Sequence, residues 1–203
     1  MKYKAVIFDN VGVILNENHK NWSKRIAEYY NLPFDSIYQS YSRQKAWQLF
    51  KRGKISETEF WQQGNKKLGK KLDLKILKKM ARRARRPRKL VVKLIKKLKN
   101  NYVLGLLNNE GREWDNYSFQ KNSFYSLFDI HLASYHFGVA KPKERIYKIL
   151  IKKLKKYNIK PEETVYIDDY LENLKSAKKL GFVTIHYKSY NELYKSLKKL
   201  QII

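Results

Sequence analysis

Five short apolar runs, separated by stretches with helical periodicity, constrain the fold of this chain more than any other feature. The runs are rich in β-branched and aromatic residues and stop at polar turns, as buried strands do. They cover residues 3–9, 103–108, 128–134, 164–169 and 182–187. Strands that alternate with helical stretches of about 10 to 15 residues form parallel βαβ units. The sequence therefore predicts an α/β fold: a Rossmann-like parallel sheet in three α/β/α layers.

The first two predicted strands are separated by a long segment without strand character, residues 16–86. Its apolar residues recur at helical spacing, and Ser56 followed by Glu59 makes a capping box at the start of one helix. Pro87 is predicted to lie in the first turn of the next helix. We therefore predict a Rossmann-like core formed by residues 1–15 and 87–203, and an all-helical cap domain formed by residues 16–86.

The chain is strongly basic, since 45 Lys and Arg against 18 Asp and Glu give a formal net charge of +27. Such a surface attracts phosphate groups, so nonspecific association with nucleic acid is one expectation. We favour compositional bias of the lineage as the explanation of this net charge, because Lys, Ile, Tyr and Asn are all abundant. The densest basic run, residues 78–99, is expected to form solvated faces around an apolar stripe made of Leu90, Val91, Leu94, Ile95 and Leu98.

Composition also excludes several classes of site. The chain has no cysteine, which rules out disulfides, thiolate metal sites and a cysteine nucleophile. No apolar run approaches the roughly 20 residues of a membrane span, and the N-terminus lacks the pattern of a signal peptide. We therefore expect a cytoplasmic protein without a membrane partner. The histidines show no metal-ligand spacing and are interpreted as structural or surface residues: His19, His131, His136 and His186.

Polar residues follow the predicted strands at four places in the chain. Because the carboxyl ends of parallel strands line one crevice of an open sheet, we expect these residues to converge. They are Asp9; Asn108 with Asn109; Lys141; and Asp168 with Asp169, followed by Asn173. Several carboxylates and one lysine suit a divalent cation and an anionic substrate. Hard oxygen ligands favour Mg²⁺, which commonly bridges to phosphate.

Four segments of the chain resemble the motifs of the haloacid dehalogenase superfamily. They occur in the superfamily's order and over nearly the whole chain: VIFDNVGVIL, LGLLNNEGREW, GVAKPKERIY and VYIDDYLENLKSAKKLGF. The segment RGKISETEFWQ is similar to cap sequences of the phosphatase-like branch, whose helical cap is inserted after the first motif. The resemblance implies a hydrolase, in this branch a Mg²⁺-dependent phosphatase with a small phosphorylated substrate.

The resemblance also implies roles for individual residues. Asp9 would be the nucleophile that forms an aspartyl phosphate, and Lys141 would hold both Asp9 and a phosphoryl oxygen. Mg²⁺ would be bound by Asp9, Asp169 and the backbone carbonyl of Val11, with Asp168 as the second choice of carboxylate. Asn173 would support these ligands from behind. Substrate contacts are expected from Asn109, Gly12 and Trp22.

Val11 is the first departure from the superfamily pattern. Phosphatases of the superfamily usually carry a second aspartate two residues after the nucleophile, which protonates the leaving oxygen and later activates water. Loss of such a general acid–base group lowers rates by roughly 10²- to 10⁴-fold. We therefore expect a slow or selective enzyme that favours good leaving groups such as acyl or aryl phosphates.

Asn108 is the second departure, since a Thr or Ser usually donates a hydrogen bond to the phosphoryl group from this position. The amide of Asn also donates, so the residue is predicted to be catalytic. Its greater length shifts the donor, and a displacement of about 1 Å can lower the rate on the order of a hundredfold.

Two alternatives to the phosphatase remain open on the sequence. One is a hydrolase of the haloacid dehalogenase type, which attacks carbon through Asp9 without a metal; the paired carboxylates of Asp168 and Asp169 speak against it. The other is a catalytically retired member of the superfamily that binds nucleic acid or a protein partner. Val11, Asn108 and the net charge of +27 all permit that second alternative.

Overall fold

A single parallel sheet forms the centre of the protein. The computed structural model describes residues 2–17, 19–83 and 85–203. Five strands are formed within these ranges: β1 (Ala5–Phe8), β2 (Val103–Asn108), β3 (Ile130–Ala133), β4 (Thr164–Asp168) and β5 (Val183–His186). Their order in the sheet is β3-β2-β1-β4-β5, and all four pairings are parallel. The five strands predicted from the sequence are confirmed.

The strand register brings the carboxyl ends of the central strands together. Phe8, the last residue of β1, pairs with Leu106 of β2 on one side and with Ile167 of β4 on the other. Asp9 therefore follows the middle strand at the same edge where Asn108 and Asp168 end the two neighbouring strands. This edge is where an open α/β sheet forms its ligand crevice.

Eleven α-helices are formed in the described ranges. In chain order they are α1 (His19–Tyr30), α2 (Phe34–Ile37), α3 (Lys45–Phe50), α4 (Glu57–Leu68), α5 (Leu74–Arg83), α6 (Lys89–Leu98), α7 (Arg112–Lys121), α8 (Ser134–Phe137), α9 (Glu144–Leu154), α10 (Leu171–Lys179) and α11 (Tyr190–Lys199). A turn of π-helix, Tyr38–Ser42, continues α2.

Helices cover both faces of the sheet. On one face the buried stripes of α6 and α11 pack with the strands in one hydrophobic cluster, which contains Leu94 and Leu193. On the other face α9 and α10 pack in a second cluster, which contains Ile146 and Leu174. The predicted three-layer architecture is therefore confirmed.

The segment between β1 and α6, here called the helical insertion (residues 19–83), has its own core. Its apolar side chains form a third hydrophobic cluster, rich in aromatic rings. One member comes from outside: Trp114 of α7 packs against Trp47 at 5.8 Å and Phe50 at 5.2 Å between ring centroids. The helical character of this segment agrees with the sequence analysis, and the division into 1–15, 16–86 and 87–203 stays a prediction.

Local sequence signals explain several helix ends. The Ser56 hydroxyl accepts from Glu59 N–H at 3.2 Å, and Glu59 Oε2 accepts from Ser56 N–H at 2.8 Å. The predicted capping box is thus formed at the start of α4. The same helix ends at Gly69, whose φ of 69° is the left-handed conformation that favours glycine at this position.

The prediction for Pro87 is wrong. Helix α6 begins at Lys89, and Pro87 lies before it in an isolated antiparallel bridge with Leu15. Two backbone hydrogen bonds explain this extended segment, because Asn16 N–H donates to Arg86 C=O and Arg88 N–H donates to Ile14 C=O, each at 2.8 Å. The two segments that connect the sheet with the helical insertion therefore run side by side.

The basic run at residues 78–99 is only partly a solvated face. Val91, Leu94, Ile95 and Leu98 are buried as predicted, whereas Leu90 is 54% exposed. Two of the arginines instead pair with buried glutamates: Arg82 with Glu57, and Arg85 with Glu110. Within the described residues, no helix has the length and apolar character needed to cross a membrane.

Candidate active site

Asp9 lies at the end of the central strand and is almost completely buried. Its Oδ1 accepts a hydrogen bond from Asn10 N–H at 2.7 Å and forms an ion pair with Lys141 Nζ at 2.8 Å. The side chain is thus held in one orientation by a backbone donor and a charged donor. A fixed carboxylate oxygen beside an ammonium group is a suitable nucleophile for an anionic electrophile.

Lys141 is the positive centre of the site. Its Nζ contacts Asp9, Asp168 Oδ2 at 2.7 Å and Leu107 C=O at 2.9 Å. The backbone of Lys141 is fixed by Asn109, whose Oδ1 accepts from Lys141 N–H at 2.8 Å while its Nδ2 donates to Lys141 C=O at 3.0 Å. The structure therefore places Asn109 beside the predicted site, where it positions the lysine.

Asp168 is fully buried, and protein donors occupy both of its oxygens. Oδ1 accepts from Tyr170 N–H at 2.8 Å and Asn173 Nδ2 at 3.0 Å. Oδ2 accepts from Lys141, from the Tyr166 hydroxyl, and from Asn173 at 3.1 Å. Asn173 thus supports a carboxylate of the site from behind. Asp168 orients Lys141 and has little capacity left for another ligand.

Asp169 differs from Asp168 because its Oδ1 is buried without a hydrogen-bond partner. Ligand oxygens of Asp9, Asp168 and Asp169 lie within 4.8 Å of one another, which is the arrangement of a divalent-cation site. Gly12 lies against this group with φ at +100°, and a Cβ on it would come within 2.3 Å of Asp169 Oδ2. The glycine is therefore needed for the approach of Asp169, and the free oxygen fits a metal ligand.

The charges of the site depend on one another. Burial raises the pKa of the Asp9 carboxyl, Lys141 opposes this rise, and Asp168 and Asp169 add to it. Burial works against the ammonium of Lys141, but Asp168 and Asp9 outweigh burial and raise its pKa. Burial and the neighbouring Asp168 likewise raise the pKa of Asp169. A bound cation would relieve the repulsion among the three carboxylates.

Asn108 is buried at the same edge of the sheet, next to a network that the sequence did not predict. Its Nδ2 donates to Asp115 Oδ1 at 2.8 Å, and its Oδ1 has no partner. Asp115 is itself buried and lies 3.0 Å from His131 Nε2 through its other oxygen. Since a carboxylate only accepts hydrogen bonds, the amide nitrogen of Asn108 faces Asp115 and its amide oxygen faces away from it.

Two other predicted residues have different surroundings. Val11 is half-buried in the loop after Asp9 and forms an isolated bridge with Leu15. Trp22 is buried inside the helical insertion, where its ring lies 5.5 Å from Trp61 and 6.3 Å from Trp114. The structure brings Asp9, Asn108, Asn109, Lys141, Asp168, Asp169, Gly12 and Asn173 together; Trp22 lies in the insertion core.

Sequence reasoning missed three supporting residues. Tyr166 precedes Asp168 by two positions on β4, so strand alternation places both on one face and could have indicated their contact. Asp115 and Glu110 gave no such signal, because their partners lie in other segments of the fold: Asn108 and His131 end or belong to strands, and Arg85 precedes α6. Glu110 is buried against Arg85, and burial raises its pKa to about 7 while Arg85 opposes the rise.

The histidines lie outside the acidic cluster in the described structure. His19 packs between Trp22 and Trp47, and burial together with the charges of Lys51, Arg85 and Arg43 lowers its pKa to about 3. His186 Nε2 lies 3.1 Å from Asp169 C=O.

Comparison with known proteins agrees with this geometry. A family model described as a haloacid dehalogenase-like hydrolase matches residues 3–181. The chain belongs to this hydrolase family. The resemblance of the four sequence motifs to this family is therefore confirmed. The sheet edge described above is the candidate active site of a hydrolase.

Two curated relatives match different shares of this hydrolase. Bifunctional epoxide hydrolase 2 of Rattus norvegicus is 37% identical over 73 residues, which are 36% of this chain and 13% of that protein. The chain thus matches a minor part of that relative's length. The sesquiterpene phosphatase astK of Aspergillus oryzae is 25% identical over 187 residues, which are 91% of this chain and 89% of that protein.

A solved structure has the same fold over nearly its full length. It is a HAD family enzyme of Bacteroides thetaiotaomicron in complex with magnesium and inorganic phosphate. It is 23% identical with a TM-score of 0.76, and the match covers 95% of this chain and 99% of that chain. At this identity the likeness shows the fold.

Proposed function

We propose that this hydrolase is a Mg²⁺-dependent phosphatase that acts on a small phosphorylated substrate through an aspartyl-phosphate intermediate. The observation that carries the proposal is Asp9 Oδ1 at 2.8 Å from Lys141 Nζ, beside the unpartnered oxygen of Asp169. These groups provide a nucleophile, a cation for the phosphoryl oxygens and a free metal ligand. Transfer of a phosphoryl group to a carboxylate needs all three.

Mg²⁺ would be held by Asp9, Asp169 and the backbone carbonyl of Val11. Asp168 is the weaker candidate because protein donors occupy both of its oxygens. When bound, Mg²⁺ neutralises negative charge on the phosphoryl oxygens. The phosphate and magnesium bound by the Bacteroides enzyme, and the phosphatase name of the Aspergillus relative, support this assignment.

The protein groups divide the reaction into two displacements. In the first, an Asp9 oxygen bonds to phosphorus while the bond to the leaving oxygen breaks, and Lys141 neutralises charge on Asp9 and the phosphoryl group. In the second, water attacks the phosphorus of the aspartyl phosphate, so that inorganic phosphate leaves and the Asp9 carboxylate is restored. Asn109 and Asp168 keep Lys141 in place, through its backbone and its ammonium.

Val11 limits the range of substrates. Its side chain has no proton to give, so the leaving oxygen takes its proton from water. This favours substrates whose leaving oxygen is a weak base, such as acyl and aryl phosphates. Asn108, at the end of β2, and Gly12, in the loop after Asp9, are proposed to face the phosphoryl group, and the Nδ2 of Asn108 has a second N–H to donate besides the one that Asp115 accepts. Trp22 is proposed to affect the substrate only indirectly, by packing in the core of the insertion.

The test is hydrolysis of acetyl phosphate and an aryl phosphate, with and without Mg²⁺, by the wild type and Asp9→Asn. We expect metal-dependent turnover that the isosteric substitution lowers at least about 10³-fold, because the amide is not a nucleophile. Asp35→Asn makes the same change on an exposed carboxylate of α2 and is the matched control. Turnover that survives both Asp9→Asn and EDTA, or no turnover on either substrate, would overturn the proposal.

A further inference from the structure

Lys51 belongs to the helical insertion but is fixed against the sheet edge. It directly follows α3, and its carbonyl accepts a hydrogen bond from the hydroxyl of Ser134, the residue after β3. The Ser134 hydroxyl also accepts a hydrogen bond from the backbone N–H of Glu110 at 3.0 Å. Glu110 lies in the loop after Asn108. A Cβ on Gly53 would come within 2.9 Å of Tyr135 C=O. The turn after α3 is therefore pressed onto the loops that form the candidate active site.

Lys51 is a largely buried lysine with no opposite charge beside it in the described part of the chain. The residue is only 9% exposed, and its Nζ lies 5.9 Å from the centre of the Trp47 ring. Among the described residues, no carboxylate oxygen lies within 4 Å of this Nζ. Burial, and then the positive charges of Arg52 and Lys141, lower the pKa of Lys51 to about 8.

An arrangement of this kind is unfavourable for folding alone. Buried charges in proteins are normally paired, because an ammonium that loses most of its water without gaining an opposite charge is unfavourable. Lys141 cannot relieve Lys51, because both are cations and Lys141 is already engaged with Asp9 and Asp168. An anion from outside the chain would supply the opposite charge that Lys51 lacks among the described residues.

We propose that Lys51 binds a second anionic group, a carboxylate or a phosphate, on the leaving-group side of the substrate whose phosphoryl group Asp9 receives. This inference rests on the proposed phosphatase function and narrows its substrate class to phosphate esters with an additional negative charge. Lys141 from the core and Lys51 from the insertion then neutralise the two ends of one small dianionic or trianionic molecule. Alkyl and aryl phosphates whose leaving group is uncharged lack the group that Lys51 recognises.

The experiment compares matched substrates on Lys51→Met, whose side chain keeps the length and loses the charge. The pairs are phosphoglycolate with ethyl phosphate and 4-carboxyphenyl phosphate with phenyl phosphate, and ethylene glycol bisphosphate distinguishes a phosphate from a carboxylate. We expect the wild type to prefer the anionic member, and Lys51→Met to lower the ratio of the two kcat/KM values at least tenfold. Lys45→Met, which removes an exposed lysine of α3, is the control and keeps the wild-type ratio.

A binding measurement separates this inference from the phosphatase proposal. In Asp9→Asn protein, calorimetry is expected to show tighter binding of phosphoglycolate than of ethyl phosphate, and the added Lys51→Met change is expected to remove that difference. If Asp9→Asn still hydrolyses the esters, the phosphatase proposal fails. If every substrate ratio and the binding difference are the same with Lys51 and Met at this position, the role of Lys51 is refuted.

Discussion

Arg85→Met is expected to destabilise the protein strongly, because it leaves the Glu110 carboxylate buried without its partner. Both side chains are at most 3% exposed, and Arg85 also donates from Nε to Ser118 Oγ at 3.1 Å. Removal of one member of a buried ion pair typically lowers the free energy of unfolding by about 3–5 kcal/mol. For a protein of this size each kcal/mol shifts Tm by roughly 2–4 °C, so Tm is expected to fall by about 6–20 °C.

The pH dependence identifies the unpaired carboxylate as the cause. The pKa of Glu110 in the folded protein is about 7, above the ordinary value of 4.5, so this group favours folding below pH 4.5 and loses that contribution as the pH rises to about 7. Without Arg85, which opposes the rise, its pKa moves higher still. The stability difference between wild type and Arg85→Met is therefore expected to be larger at pH 8 than at pH 5.5.

The assay is urea unfolding followed by far-UV circular dichroism at the two pH values. The double variant Arg85→Met/Glu110→Leu removes both charges and is expected to regain more than half of the stability lost at pH 8, because no buried charge remains. An equal loss at both pH values, or a double variant as unstable as the single one, would refute the explanation.

Two further changes test the catalytic proposal. Val11→Asp restores a carboxyl group at the usual acid–base position, and we expect kcat for alkyl phosphates to rise at least about tenfold more than kcat for acetyl phosphate; equal effects on both would contradict the missing-acid explanation. Asn173→Leu removes two hydrogen bonds to Asp168 and so loosens the support of Lys141. We expect kcat to fall about tenfold with little change in KM, and a loss confined to KM would show that Asn173 acts on substrate binding.

The sheet and the convergence of its polar residues could be predicted from the sequence because both depend on local signals. Each strand is a short apolar run, and the parallel arrangement follows from the helices between them. The carboxyl ends of such strands meet at one edge, which brought Asp9 and Asp169 together although 160 positions separate them. The fold class and the acidic cluster therefore required no knowledge of side-chain contacts.

The partners of individual side chains could not be predicted in this way. Asp168 and Asp169 are adjacent and chemically identical, yet Lys141 and Asn173 occupy the first and leave an oxygen of the second free. Which of them turns inward depends on strand alternation and on the space that Gly12 leaves. Nothing in the sequence distinguishes Lys51 from the other lysines, because burial of a lysine side chain is a property of tertiary packing.

The aromatic cluster of the helical insertion has a spectroscopic consequence. All four tryptophans of the chain, Trp22, Trp47, Trp61 and Trp114, belong to that one cluster, and three of them come from the insertion itself. Tryptophan emission therefore reports on the insertion and on its junction with α7, whereas the strands of the sheet carry no tryptophan. Movement of the insertion away from α7 would take Trp114 from its neighbours and shift its emission, so such a movement can be followed without a label.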